Sequence, residues 1–107
     1  MKITYSTVLV LEALARGYHY GFDIMDATAL PSGTVYPILR RLDRESLVTA
    51  RWEASRLAQR EQRPARRYYE LTAAGERVAA EAADRYQPVD AIQRRPARLR
   101  PARQTKG

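Results

Sequence analysis

Three arginines, at positions 40, 41 and 44, lie close together in the stretch PSGTVYPILRRLDRESLV, which spans residues 31–48. A guanidinium group is permanently charged and donates hydrogen bonds in a planar fork, which fits phosphate oxygens and the edge of a guanine base. The apolar residues of the stretch recur at the spacing of one helical face: Val35, Ile38, Leu39 and Leu42. The pattern predicts a helix that buries one stripe and presents arginines on the opposite side.

A proline at position 37 constrains where this helix begins. With Thr34 as the N-cap, Pro37 falls in the first turn, where its missing N–H has no intrahelical partner. With Ser32 as the N-cap, Pro37 forfeits one hydrogen bond to the carbonyl of Gly33. Both caps are chemically reasonable, and Thr34 is favoured because it sacrifices no bond. In either case we expect Pro37 to mark the beginning of the helix.

The face opposite the apolar stripe is small at its N-terminal end and cationic further along. We expect Gly33 to allow a close backbone approach, the N-terminal amides to meet a phosphate, and the arginines to reach phosphates or guanine edges. The alternative is a solvated face whose arginines pair in part with Asp43 and Glu45. Contact with DNA is favoured because of the helix's place in the order of elements. The candidate contacts are Ser32, Gly33, Thr34, Tyr36, Pro37, Arg40, Arg41 and Arg44.

The elements around this helix follow from hydrophobic periodicity. Helices are predicted at residues 4–15 and 22–28 before it, and the arginine-bearing helix itself ends near residue 45. Alternation predicts strands at 47–54, with Trp52 facing inward and Glu53 outward, and at 66–72, separated by a long polar loop. Thr72 is predicted to cap a last helix over 73–86. Three helices followed by a two-stranded hairpin form a winged helix-turn-helix, mainly α with a small β-hairpin.

The charge of the chain favours a polyanionic partner. Nineteen Lys and Arg against twelve Asp and Glu give a net charge of +7. The part between the strands is rich in arginine, and we expect it to add affinity for phosphates, the alternative being an ordinary solvated loop. Its candidate contacts are Arg56, Arg60, Arg63 and Arg66.

A basic tail follows the last helix. Residues 87–107 hold six basic residues and one acid, Asp90, and two of the three RPAR repeats. With few large apolar residues the tail cannot fold alone, so we expect a domain at 1–86 and a disordered tail at 87–107. The tail is either an arm that lies along DNA or, as we favour, an arginine-biased extension with general attraction to nucleic acid.

Several classes of protein are disfavoured. The chain has no cysteine, which excludes disulfides and thiolate metal sites and favours a cytoplasmic location. His19 is the only histidine, expected to be exposed in a turn, so a metal site or a Ser-His-Asp triad lacks parts. No apolar segment reaches eighteen residues. We therefore expect no enzymatic activity, no cofactor and no membrane partner.

The sequence resembles the PadR-like transcriptional regulators in three segments: HYGFDIM, SGTVYPILRRLDRESLV running into TARWE, and RRYYELTAAGERV. The resemblance covers roughly residues 4–86, and GTVYPILRRL is quite specific to the family. It implies a dimeric winged-helix regulator, usually a repressor, that binds a palindromic operator. It also implies that the third helix enters the major groove, that the wing touches the backbone or minor groove, and that some members release DNA on binding a small aromatic effector.

The resemblance further implies dimerisation through the last helix, which here has only about fourteen residues before Pro88. The first helix is apolar on more than one side, which suggests a contact beyond its own core. The candidate dimer residues are Leu9, Val10, Val78, Ala82 and Tyr86. Relatives usually carry glycine where Ser46 stands, and serine there costs little if its dihedral angles are ordinary. The competing hypothesis is a winged helix that binds a protein or RNA, with the basic tail as its main contact.

Overall fold

The computed structural model describes residues 3–86 of the chain. The elements are α1 (Tyr5–Ala15), α2 (Gly21–Thr28), α3 (Ser32–Arg44), β1 (Val48–Trp52), α4 (Ser55–Arg60), β2 (Arg67–Leu71) and α5 (Ala73–Tyr86). The two strands pair antiparallel, from Val48 opposite Leu71 to Trp52 opposite Arg67. The fold is a winged helix, as predicted, with β1, α4 and β2 forming the wing. The predicted tail lies outside the described residues.

The core is built around α1, which packs against α2, α3 and α5. Leu9 and Val10 both belong to this core, with 5% and 0% of their surface exposed. The side of α1 that suggested a contact with a second subunit is therefore covered by the chain itself. Within residues 3–86 no helix has the length and hydropathy needed to cross a membrane.

The third helix begins earlier than predicted. Its N-cap is Pro31, whose carbonyl accepts hydrogen bonds from Thr34 and Val35, both at 3.0 Å, and no side chain caps the helix. Neither Thr34 nor Ser32 is the cap, because the extended backbone of Pro31 already occupies that position. Pro37 consequently lies in the second turn. Since it has no N–H, the carbonyl of Gly33 forfeits its helical hydrogen bond.

Four helices end on a residue in the left-handed conformation: Gly17 (φ 97°), Ala29 (φ 62°), Ser46 (φ 61°) and Gln62 (φ 56°). After Gly17, Ser46 and Gln62, the next residue's N–H bonds a carbonyl five positions back, as in Leu47 to Leu42 at 2.9 Å. These are Schellman motifs, in which the left-handed position favours glycine. The dihedral angles of Ser46 are therefore not ordinary.

The wing departs from its prediction in two ways. Residues Ser55–Arg60 form the short helix α4 instead of a loop, because Ala58 is buried and anchors the turn. The inward and outward positions also exchange at the end of β1. Trp52 is 53% exposed, whereas Glu53 is fully buried, because its carboxylate is held by hydrogen-bond donors inside the wing.

The base of the wing is joined to α3 and α5 by Thr72. Its hydroxyl donates to the carbonyl of Ser46 at 2.8 Å and accepts from the N–H of Gly75 at 3.0 Å, so the predicted cap of the last helix is confirmed. Gly75 lies against the chain at this point, since a Cβ there would come within 1.9 Å of the Leu47 carbonyl oxygen.

His19 is buried, contrary to the expectation of an exposed turn. Its Nδ1 donates to the carbonyl of Tyr69 at 2.9 Å, and the Tyr69 N–H donates to the His19 carbonyl at 2.8 Å. Tyr20 forms an isolated bridge with Tyr68. The segment before α2 thus pairs with β2, which explains the burial.

Candidate nucleic-acid interface

The outer face of α3 carries the predicted contact residues at the surface. Ser32, Gly33, Tyr36, Arg40 and Arg44 are exposed, and the other three are half-buried. The apolar stripe on the opposite side is buried. The predicted division of the helix is confirmed, whereas contact with DNA stays a prediction.

Among the described residues, the arginines of this face form no ion pair with a carboxylate. The salt bridges found among residues 3–86 join Arg16 to Glu12, and Arg63 to Glu53 and Glu61. None of them uses Arg40, Arg41 or Arg44, so the pairing with Asp43 and Glu45 that the alternative interpretation included is not found in this part of the chain. Within residues 3–86 the outer face of α3 therefore presents arginines that form no ion pair.

Two glycines near this face have different roles. A Cβ at Gly33 would meet nothing within 4 Å, so the chain's own packing does not require glycine there. A Cβ at Gly21 would come within 2.5 Å of the Tyr36 ring. Tyr36, which is 36% exposed, therefore packs across the N-terminal end of α2 and helps to set the position of α3. Its ring faces solvent only in part.

The wing carries a second group of cationic side chains. Arg56 and Arg60 are exposed on α4, and Arg66 is exposed with its guanidinium 5.7 Å from the centre of the Tyr20 ring. Sequence reasoning missed a related pair, Arg67 stacked 5.3 Å from the centre of the exposed Trp52 ring. Their opposed positions at the ends of the two strands are the signal that would have found them.

Arg63 differs from the other predicted wing contacts. Its Nη1 and Nη2 donate to the two oxygens of the Glu53 carboxylate at 2.6 and 3.0 Å. The same carboxylate accepts from the Tyr20 hydroxyl at 3.0 Å and the Arg66 N–H at 3.2 Å. The guanidinium of Arg63 is thus engaged within the protein, unlike those of Arg56 and Arg60, and its contact with DNA stays a prediction.

The titration of these groups reflects the same contacts. The hydrogen bonds from Arg63 hold the pKa of Glu53 below its ordinary value of 4.5, although burial alone would raise it. Burial, together with the bond to Glu53, raises the pKa of the Tyr20 hydroxyl well above its usual range. The carboxylate therefore stays charged and the phenol stays protonated near neutral pH, which is the state that the hydrogen bonds require.

The outer side of α5 holds the remaining dimer candidates. Tyr86 is 40% exposed, Val78 is half-buried, and Ala82 is buried. Together with Ile3 and Arg85 they line a surface cavity of about 90 Å³. Three of the five predicted dimer residues thus share one surface, whereas Leu9 and Val10 lie in the core.

A larger cavity of about 750 Å³ opens between the end of α1, the two strands and α5. It is lined by apolar side chains such as Leu14 and Ala79 and by charged side chains of both signs, among them Glu70, Glu76 and Arg51.

Comparisons with known proteins agree with this geometry. The model of the PadR-like family of transcriptional regulators matches residues 10–81, well over half of the chain. A PadR-like transcription factor from Bacteroides fragilis is 27% identical, with 78% of this chain and 82% of that chain covered and a TM-score of 0.63. No curated protein matches the sequence.

Two more distant structures share the fold. Bordetella bronchiseptica BpsR, whose DNA binding is regulated by 6-hydroxynicotinic acid, is 22% identical, with 83% of this chain and 59% of that chain covered and a TM-score of 0.65. Bacillus subtilis PadR in complex with operator DNA is 19% identical, with a TM-score of 0.63. That match covers 92% of this chain and 54% of PadR, so this chain spans about half of its length. On its sequence and its fold, the chain described here belongs to the PadR-like family of transcriptional regulators.

Proposed function

We propose that this protein is a sequence-specific DNA-binding regulator whose α3 enters the major groove, with the wing lying against the backbone beside it. The observation that carries the proposal is the outer face of α3, where arginines that form no ion pair within residues 3–86 follow a first turn left open by Gly33. Amides at the start of a helix bind phosphates, and arginines read guanine edges. Membership of a family of transcriptional regulators supports DNA binding by this surface. A cytoplasmic location follows from the proposed role in transcription.

We propose further that the protein is a homodimer that represses transcription from a palindromic operator. The surface of α5 around Val78 and Tyr86 supports the dimer, because apolar side chains and a small cavity lie there at the surface, beside charged side chains. A twofold dimer presents two α3 helices to half-sites about one helical turn, roughly 34 Å, apart. Sedimentation of the full chain tests the dimer, and transcription from an operator-bearing template tests repression.

A small aromatic effector is part of this proposal, with the regulation of BpsR as its precedent. The cavity between α1, the strands and α5 is the place to test it. Release of DNA on titration with hydroxylated aromatic acids supports the effector. Unchanged DNA affinity across such a panel removes it.

The contact of α3 with DNA is tested by fluorescence anisotropy with the duplex that the protein selects from a random pool. Arg40→Ala is compared with Arg77→Ala, which removes the same charge from an exposed position on α5. Loss of a base contact costs about 1–3 kcal/mol, or roughly 5- to 150-fold in affinity, so Arg40→Ala is expected to reduce the preference for the selected duplex by that factor. Arg77→Ala is expected to have a much smaller effect.

Two results count against the proposal. Equal losses in the two variants mean that charge, and not the α3 face, carries the binding. If deletion of residues 87–107 alone abolishes binding while the α3 variants behave as wild type, the alternative of a protein- or RNA-binding module takes its place.

A further inference from the structure

We propose that Tyr20, Glu53 and Arg63, which we call the wing anchor, fix the position of the wing relative to α3. On this proposal Arg63 acts on DNA binding through Glu53, as a positioning residue, and does not contact DNA itself. The inference rests on the proposed function, since it concerns how the DNA-binding surface is held in shape.

Glu53 is the residue that connects the segments of the wing anchor through its hydrogen bonds. Its side chain lies at the end of β1 and is fully buried. Four hydrogen bonds of 2.6–3.2 Å reach the carboxylate from Tyr20, from both terminal nitrogens of Arg63 and from the Arg66 backbone. A buried carboxylate is tolerated only when it is paired and hydrogen-bonded in this way. The cluster therefore holds one defined arrangement of the three segments that donate to it.

Those segments join the wing to the helices that face DNA. Arg63 and Arg66 lie on the return from α4 to β2, whereas Tyr20 is the N-cap of α2. Tyr20 is fixed in turn by its bridge to Tyr68 and by an edge contact between the two rings at 6.4 Å.

The next residue along the chain, Gly21, lies against the Tyr36 ring of α3. A continuous path of packed groups thus runs from the tip of the wing to the recognition helix. Displacing Arg63 is expected to move the wing arginines relative to Arg40, which changes how both can reach one duplex.

Most of the N–H donors of the Arg63 guanidinium are already used in hydrogen bonds within the protein. Its Nε donates to Glu61 at 3.0 Å, and Nη1 also lies 3.2 Å from the Pro64 carbonyl. Only 19% of its side-chain surface is exposed. By contrast, the exposed guanidinium groups of Arg66 and Arg67 lie over aromatic rings beside the anchor, where they can meet phosphates. The wing anchor therefore positions Arg66 and Arg67 for contact with phosphates, whereas Arg63 stays bound within the protein.

The sign of one substitution separates this proposal from a simple charge effect. Glu53→Gln removes a negative charge from a protein that binds a polyanion, so electrostatics alone predicts tighter binding. The wing anchor predicts weaker binding, by about 5-fold or more, because an amide leaves the Arg63 guanidinium without its carboxylate partner. Asp84→Asn is the control, since it removes an exposed negative charge on α5, away from the wing anchor, and is expected to bind DNA as tightly as wild type or more tightly.

The state of the wing is measured in the same samples through Trp52, the only tryptophan. Acrylamide quenching of Trp52 is expected to rise in Glu53→Gln and to stay unchanged in Asp84→Asn, while the helical circular dichroism is retained. Arg63→Lys supplies a second variant that keeps the charge but loses the planar fork. The wing anchor predicts that Arg63→Lys binds DNA more weakly than wild type. A direct phosphate contact predicts that Arg63→Lys binds with nearly wild-type affinity.

Glu53→Gln binding as tightly as wild type, or Arg63→Lys binding with wild-type affinity, overturns the proposal. If Glu53→Gln fails to fold, Arg63→Lys alone decides the question. These outcomes are separate from those that test the proposed function. A wild-type protein that selects no preferred duplex refutes sequence-specific regulation, while the comparison of variants on a single random duplex still tests the wing anchor.

Discussion

Ser46→Gly is expected to stabilise the protein without changing a contact. Ser46 follows α3 with φ of 61°, and the Schellman bonds from its own N–H to Asp43 and from Leu47 to Leu42 hold it there. A left-handed backbone costs a residue with a Cβ about 1–2 kcal/mol, and glycine avoids this cost. Glycine also gains about 0.4–1 kcal/mol of conformational freedom in the unfolded chain, which offsets part of the benefit.

The difference is a net gain of about 0.5–1 kcal/mol in the free energy of unfolding, which raises Tm by about 2–8 °C for a domain of this size. Thermal and urea unfolding followed by circular dichroism, at one fixed protein concentration, measure it. Ser46→Ala is the control, since it keeps the Cβ and is expected to stay close to wild type. The reasoning is refuted if Ser46→Gly melts at or below the wild-type temperature, or if Ser46→Ala gains as much.

Three further predictions follow from other positions. Gly75→Ala is expected to lower the free energy of unfolding in urea by about 3 kcal/mol, because the new Cβ would clash with the Leu47 carbonyl oxygen. The comparison is Ala80→Gly on the exposed side of α5, which is expected to cost only about 1 kcal/mol. Gly33→Ala is expected to raise Tm slightly while weakening binding of the selected duplex about 10-fold in anisotropy, and unchanged binding would contradict the close approach of DNA to this residue. The folded pKa of Glu53 lies below 4.5, so its stabilising effect is present above that pH and is lost as the pH falls through the folded pKa. The difference in free energy of unfolding between wild type and Glu53→Gln should therefore shrink in acid. A difference that grows there would contradict the assignment.

The sequence was sufficient to predict the features that depend on local periodicity. The apolar stripe of α3 and its cationic outer face follow from a spacing of three and four residues, and Thr72 is a cap because its hydroxyl serves the turn directly after it. The start of α3 was missed because the sequence offered two residues with capping side chains, Ser32 and Thr34, whereas the N-cap is Pro31, which provides no side-chain hydrogen bond.

The wing anchor lay beyond sequence reasoning for a physical reason. Alternation along β1 places a glutamate outside by default, since burying its charge is unfavourable. What reverses this is Arg63, ten residues away and brought back by α4, together with Tyr20 from before α2. His19 is similar, because its burial depends on pairing with β2 fifty residues later. Partners distant in sequence leave no periodic pattern.

Selection of bound fragments from a pool of random duplex DNA, with the purified full chain at near-physiological salt, tests the central claim most directly. The proposed regulator predicts an enriched palindrome with half-sites about one helical turn apart, and binding of that palindrome that Arg40→Ala weakens more than binding of a scrambled duplex. A pool that stays random, with binding that fades steadily as salt rises, would mean attachment by charge alone and would contradict sequence-specific recognition by α3.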